Sequence, residues 1–174
     1  MIEAARDLEW LNALPTEQAA KELLQCCGSK RWAAEMVTRR PYASLETLLA
    51  SANDIWWSLQ PTDWLEAFRS HPKIGEKKAA ESVSEQSRRW SGQEQSGVID
   101  VARETVESLT TLNQAYEQKF SFIFIICATG KSSEAMLSAL RERLENDPAT
   151  ELPIAAAEQN KITELRLKKL LTRL

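Results

Sequence analysis

Apolar residues recur along this chain at intervals of three and four, the period of a helix that buries one face. Thr16 opens a stretch in which Ala19, Ala20, Leu23, Leu24 and Cys27 share a face, and Gly28 can close it. Trp32, Met36 and Val37 form a short stripe that must end before Pro41, because a proline biases the residue ahead of it away from the α region. Ser44 is placed to cap a helix through Leu45, Leu48, Leu49, Ala52, Ile55 and Trp56. Thr62-Asp63 reads as the next helix start, ahead of Trp64 to Phe68, with Pro72 as its stop. After a polar stretch that runs to Arg89, a long periodic segment spans about Ser91 to Phe120, its later face being Leu109, Leu112 and Tyr116. Ser132 or Ser133 begins a helix carrying Ala135, Met136, Leu137, Leu140 and Leu144. The last helix starts near Pro148 to Pro153 and carries Ile154, Ala157, Ile162, Leu165 and Leu170.

Only Phe122-Ile123-Phe124-Ile125-Ile126-Cys127 has the β-branched, apolar character of a strand. One strand makes no sheet, so it is expected as a buried crossing segment or a helix turn inside an all-α, multi-helix bundle. With no internal repeat, low-complexity block or long linker, residues 1–174 are expected to form a single helical domain.

Composition narrows the function classes. Apolar residues at 43% and charged residues at 27% are those of a globular domain. Five glycines and six prolines exclude a loop-rich or collagen-like chain. The apolar run from Phe122 to Ala128 is too short to cross a bilayer, so no membrane association is expected. A net charge of −3 lacks the basic footprint of a nucleic-acid binder. Cys26, Cys27 and Cys127 are odd in number and have no CxxC spacing. That favours reduced thiols and a cytoplasmic location over a disulfide framework, and offers no metal-ligand spacing.

The rarest residue is the single histidine, within Ser70-His71-Pro72-Lys73-Ile74-Gly75. Pro72 biases His71 out of the helix, so the imidazole departs in a defined direction, and its unperturbed pKa suits proton transfer near neutral pH. His71 could equally be a C-terminal cap favoured by the helix dipole. Ser91-Gly92-Gln93-Glu94-Gln95 reads as a capping box of Ser91 with Glu94. The box does not explain Gln95, or two glycines in the first turns of a long helix. A helix N-terminus offering a hydroxyl, a carboxylate and an amide also makes a polar wall for a small anion. Arg166, between Leu165 and Leu167, either joins a solvated basic face with Lys168 and Lys169 or points inward as a carboxylate clamp. The six tryptophans are most simply core, although Trp32 could line a pocket.

Taken together, these segments resemble the OHCU decarboxylase family, whose members act on 2-oxo-4-hydroxy-4-carboxy-5-ureidoimidazoline late in urate breakdown. The resemblance begins with Leu11-Asn12-Ala13-Leu14-Pro15 and Arg39-Arg40-Pro41-Tyr42-Ala43-Ser44-Leu45. Ser70 to Gly75 and Ser91 to Gln95 carry its most specific part, an HPxIG segment followed about 20 residues on by SxxEQ. Asn113-Gln114-Ala115-Tyr116, Phe124 to Lys131 and Asn160 to Leu167 complete it. The chain departs from the family pattern before Trp32, where Cys27-Gly28-Ser29-Lys30-Arg31 replaces an acidic-histidine-serine turn.

The resemblance implies a cofactor-free lyase, usually a homodimer, that releases CO2 and yields (S)-allantoin. It puts the catalytic histidine on His71 and the family's serine, glutamate and glutamine on Ser91, Glu94 and Gln95. Pro72 falls in the substrate-contacting turn, backbone contacts fall near Phe124 and Ile126, and the substrate-meeting arginine falls on Arg166. His71, oriented by Glu94, would then move the proton, while hydrogen bonds stabilise the developing anion. The alternatives are a non-catalytic helical interaction module, with Arg166 facing solvent, and a cofactor-free hydrolase or isomerase acting on similar rings.

Overall fold

The computed structural model describes residues 6–73 and 103–172. Helices dominate them: α1 (Leu8–Ala13), α2 (Thr16–Cys26), α3 (Lys30–Thr38), α4 (Leu45–Ser58), α5 (Pro61–Arg69), α6 (Arg103–Phe120), α7 (Ser133–Leu144) and α8 (Pro148–Leu171). No strand occurs among the described residues, so the expected all-α class holds.

Local chemistry sets the helix starts. Ser44 Oγ accepts from the Thr47 amide at 3.1 Å, and Thr47 Oγ1 accepts from the Ser44 amide at 3.1 Å, a capping box with threonine as the reciprocal partner. Ser132 caps α7 through the Ala135 amide at 3.1 Å. Ser29, in the turn that departs from the family pattern, caps α3 through the Trp32 amide at 3.2 Å. Two boundaries differ from the sequence expectation. α5 starts at Pro61 rather than at Thr62-Asp63, because proline suits the first helical position and the Asp63 carboxylate reaches back to the Gln60 amide. α2 ends one residue before extended Cys27, leaving Gly28 outside. α8 starts at Pro148, at the head of the expected range, with the Asp147 carboxylate capping the Thr150 amide at 2.8 Å, and it carries Pro153 inside the helix.

The chain divides into two compact units, Met1–Ala67 with Asn160–Leu174, and Phe68–Gln159. In the first, Leu11, Leu23, Trp32, Met36, Leu48, Ile55 and Trp56 are fully buried. Trp32 belongs to this core, its indole N–H donating to the Ala52 carbonyl at 3.1 Å. Arg40 closes the end of α1 by donating to the carbonyls of Leu11 and Leu14 at 2.8 and 2.7 Å. Asn12 and Tyr42 exchange two hydrogen bonds between the Asn12 amide and the Tyr42 backbone, joining the same two segments. Among the described tryptophans, Trp32 and Trp56 are buried, Trp10 and Trp64 are partly buried, and Trp57 is 43% exposed.

In the second unit, Leu109, Tyr116, Phe120, Phe124, Ile126, Met136 and Leu140 form the core. Residues 123–128 cross it without helical or strand pairing, as a buried connection between α6 and α7. Arg143 on α7 anchors this crossing. Its Nε donates to Glu151 at 2.6 Å, its Nη1 donates to the Ile125 carbonyl at 2.7 Å, and its guanidinium lies 4.5 Å from the centre of the Phe124 ring. The Tyr116 hydroxyl and the Asn146 amide also donate to Glu151, which is fully buried. Burial first, and then the bond to Glu151, keep the Tyr116 hydroxyl protonated far above its ordinary range.

Breaking such a buried pair strands a charge. Arg143→Met is expected to cost about 3–5 kcal/mol of unfolding free energy in urea. Arg143→Met combined with Glu151→Leu should cost less than the single change. A double variant at least as unstable as Arg143→Met would show that the charge pairing is not what holds this core.

Candidate active site

His71 lies two residues past the end of α5, half-buried, its amide donating to the Phe68 carbonyl at 3.2 Å. Both sides of this turn are fixed within the second unit. Phe68 packs its ring 5.4 Å from that of Phe122, at the head of the crossing segment. Lys73, past Pro72, pairs with Glu117 of α6 at 2.8 Å. Between these anchors, the His71 Nε2 lies 2.5 Å from Oε1 of Gln159, which is wholly buried on α8. The imidazole is therefore more than a helix cap: a side chain 88 residues away holds one of its nitrogens.

The crossing segment supplies a second polar feature. The Ile125 carbonyl accepts from Arg143, and the Cys127 carbonyl accepts from the Lys131 ammonium at 2.9 Å. Among the described residues, nothing is hydrogen-bonded to the main chain of Phe124 or Ile126, although both are at least 94% buried. Buried main-chain groups are nearly always paired, which makes these two residues an exception within the crossing segment.

Arg166 belongs to the other unit and is 2% exposed, so the solvated-face reading fails. Cys27 and Thr163 are its neighbours there, and the Thr163 side chain bonds the Cys27 thiol. Burial pushes that thiol up from 9.0 to about 12, against smaller lowering by Ser29, Thr163 and Arg166. Ser91, Glu94 and Gln95 lie outside the described residues. A shallow groove on α6 and α7, lined by Glu104, Glu107, Thr111 and Arg141 among others, contains none of the candidate residues.

Gln159 was not legible in the sequence as a site residue, since α8 reads there as one face of a periodic helix. A signal was nevertheless present: Glu158, Gln159, Thr163 and Arg166 recur at helical spacing, and all four are buried. Over this stretch of α8 they are buried alongside apolar Ala155, Ala156, Ile162 and Leu167, while Ile154 and Ala157 are only partly covered.

The raised Cys27 thiol has a consequence for stability. Below pH 9 the thiol is protonated in both folded and unfolded chains; above it the unfolded chain releases the proton first. Stability should therefore fall as pH rises from 9.0 toward about 12, by up to about 1.4 kcal/mol per pH unit from this group. Cys27→Ala should flatten that slope in urea titrations; an unchanged slope would remove Cys27 as its source.

Residues 12–168 match the family model described as OHCU decarboxylase. The chain is 44% identical to the uric acid degradation bifunctional protein TTL of Arabidopsis thaliana, over 83% of this chain and 45% of that protein. It is 32% identical to the 2-oxo-4-hydroxy-4-carboxy-5-ureidoimidazoline decarboxylase of Amia calva, over 80% of this chain and 79% of that one. Among solved structures, an OHCU decarboxylase determined in the presence of (S)-allantoin superposes with a TM-score of 0.76. It is 42% identical and covers 87% of this chain and 98% of its own. The chain spans less than half the length of the bifunctional relatives it matches.

Proposed function

The chain belongs to the OHCU decarboxylase family, and on that premise we propose that it decarboxylates 2-oxo-4-hydroxy-4-carboxy-5-ureidoimidazoline to (S)-allantoin and CO2. The observation that carries this reading is the His71 turn: a half-buried imidazole anchored on both flanks, with one ring nitrogen on a buried acceptor. The unpaired edge of Phe124 and Ile126 supports it, because the substrate ring carries amide and carbonyl groups that such an edge can bind.

In the proposed reaction the bond from the ring carbon to the carboxylate breaks and CO2 leaves. The electron pair passes into the adjacent C=N and carbonyl system. Hydrogen bonds aimed at that developing charge replace an electron-sink cofactor. His71 moves the proton between the 4-hydroxyl and the reacting carbon, and delivery from one side sets the product's handedness. Glu94 as a partner of His71, Pro72 and Gln95 at the substrate, and Ser91 at the hydroxyl or carboxylate enter on family resemblance, as does Arg166 at an anionic or carbonyl oxygen. The burial of Arg166 counts against the rival interaction module, which needs it facing solvent. One functional domain over the whole chain, assembly as a homodimer and a cytoplasmic location complete the proposal. Among the described residues no helix is long and apolar enough to cross a membrane.

Chiral detection of allantoin formed from freshly generated substrate tests the reading. Acceleration with an excess of the (S) form is expected, and product no faster than spontaneous racemic decay would defeat it. His71→Asn and His71→Ala should each lower turnover by about 10²–10⁴-fold. Normal turnover in either variant would remove His71 from the chemistry.

A further inference from the structure

We infer that Asn113 is a further substrate-contacting residue, its side-chain amide donating to a carbonyl or carboxylate oxygen of the bound molecule. This role rests on the proposed decarboxylation, to which it adds a residue that selects the substrate. Its basis is an unmet demand for a hydrogen bond. Asn113 Nδ2 is buried and has no hydrogen-bond partner among the described residues. The buried residues of α6 are Leu109, Asn113, Tyr116 and Phe120, a single stripe at helical spacing. Leu109 and Phe120 are apolar, and the Tyr116 hydroxyl is met by Glu151. In that stripe only the polar group of Asn113 is left over.

An amide donor unpaired in a core costs free energy that a leucine at the same position would not. Asparagine there calls for a partner that the folded chain does not supply. Location narrows the partner. Asn113 and Glu117 are one turn apart and so are neighbours on the surface of α6, and Glu117 holds Lys73, two residues past His71, at 2.8 Å. Tyr116, three residues on from Asn113, sets its ring 5.2 Å from that of Phe124 in the crossing segment. Asn113 therefore stands on the part of α6 that borders both the histidine turn and the crossing segment, all within the second unit. The residue is 8% exposed, which sets it at the margin of the core rather than sealed inside it. Chemistry narrows the partner further. Nδ2 carries two hydrogens and accepts nothing, so it requires oxygen acceptors. The proposed substrate offers them in its carboxylate and its carbonyl groups.

Asn113→Leu separates this role from a structural one, because a structural amide and a ligand-binding one predict opposite changes in stability. Removing an unmet donor from an apolar stripe should leave the urea midpoint of the ligand-free protein unchanged or raise it. The same change should raise KM for freshly generated substrate by about 3–10-fold, the effect of one neutral hydrogen bond, with kcat moving less. It should also shrink the rise in melting temperature that (S)-allantoin gives the wild-type protein. Asn113→Asp, of the same size but without the donor, should bind substrate less well still, because its carboxylate faces the substrate's oxygens. A folded Asn113→Leu with the wild-type KM and the wild-type response to (S)-allantoin would overturn the inference. So would a lowered urea midpoint with KM unchanged, the mark of an amide that only holds the fold. Should Asn113→Leu fail to fold, Asn113→Ala removes the same donor without added bulk, and its KM and response to (S)-allantoin decide. Failure of the decarboxylation reading would show separately, as absent turnover in the wild-type protein itself.

Discussion

A guanidinium removed from water must be met by acceptors on every side it presents, and Arg143 meets that demand in a way that organises the unit around it. Its partners come from three places: the Glu151 carboxylate at the start of α8, the Ile125 carbonyl in the crossing segment, and the ring of Phe124. Each would be costly to leave unpaired in a core, so the three are held in one arrangement. Tyr116 brings α6 into the same network through Glu151. A buried charge of this kind adds little stability over apolar packing, but it leaves few alternatives for the chain that threads past it.

That restriction bears on the irregular stretch that threads past it. Residues 123–128 have the composition of a strand and no partner strand, so their main-chain groups need other partners. Arg143 and Lys131 satisfy the carbonyls of alternate residues. The main-chain groups of Phe124 and Ile126 have no such partner among the described residues.

The histidine turn is held from several directions. Pro72 ends the helix direction, Phe68 packs on Phe122, Lys73 pairs with Glu117, and Gln159 takes one ring nitrogen.

Much of this protein is determined by local sequence. The helical period, the Ser44 and Ser132 caps, the stop at Pro72 and the apolar, strand-like crossing of 122–127 all follow from residues within a few positions of each other. So do the single histidine and the segments through which family membership is recognised. What tertiary structure alone decided are the long-range polar contacts. Gln159 meets His71 across 88 positions, Arg143 meets Ile125 across 18, and Arg166 turns inward although its own neighbours equally allow a solvated basic face. Periodicity reports which face of a helix is apolar; it says nothing about a polar side chain that is buried because a distant partner satisfies it. The energy of such contacts exists only once the helices have packed.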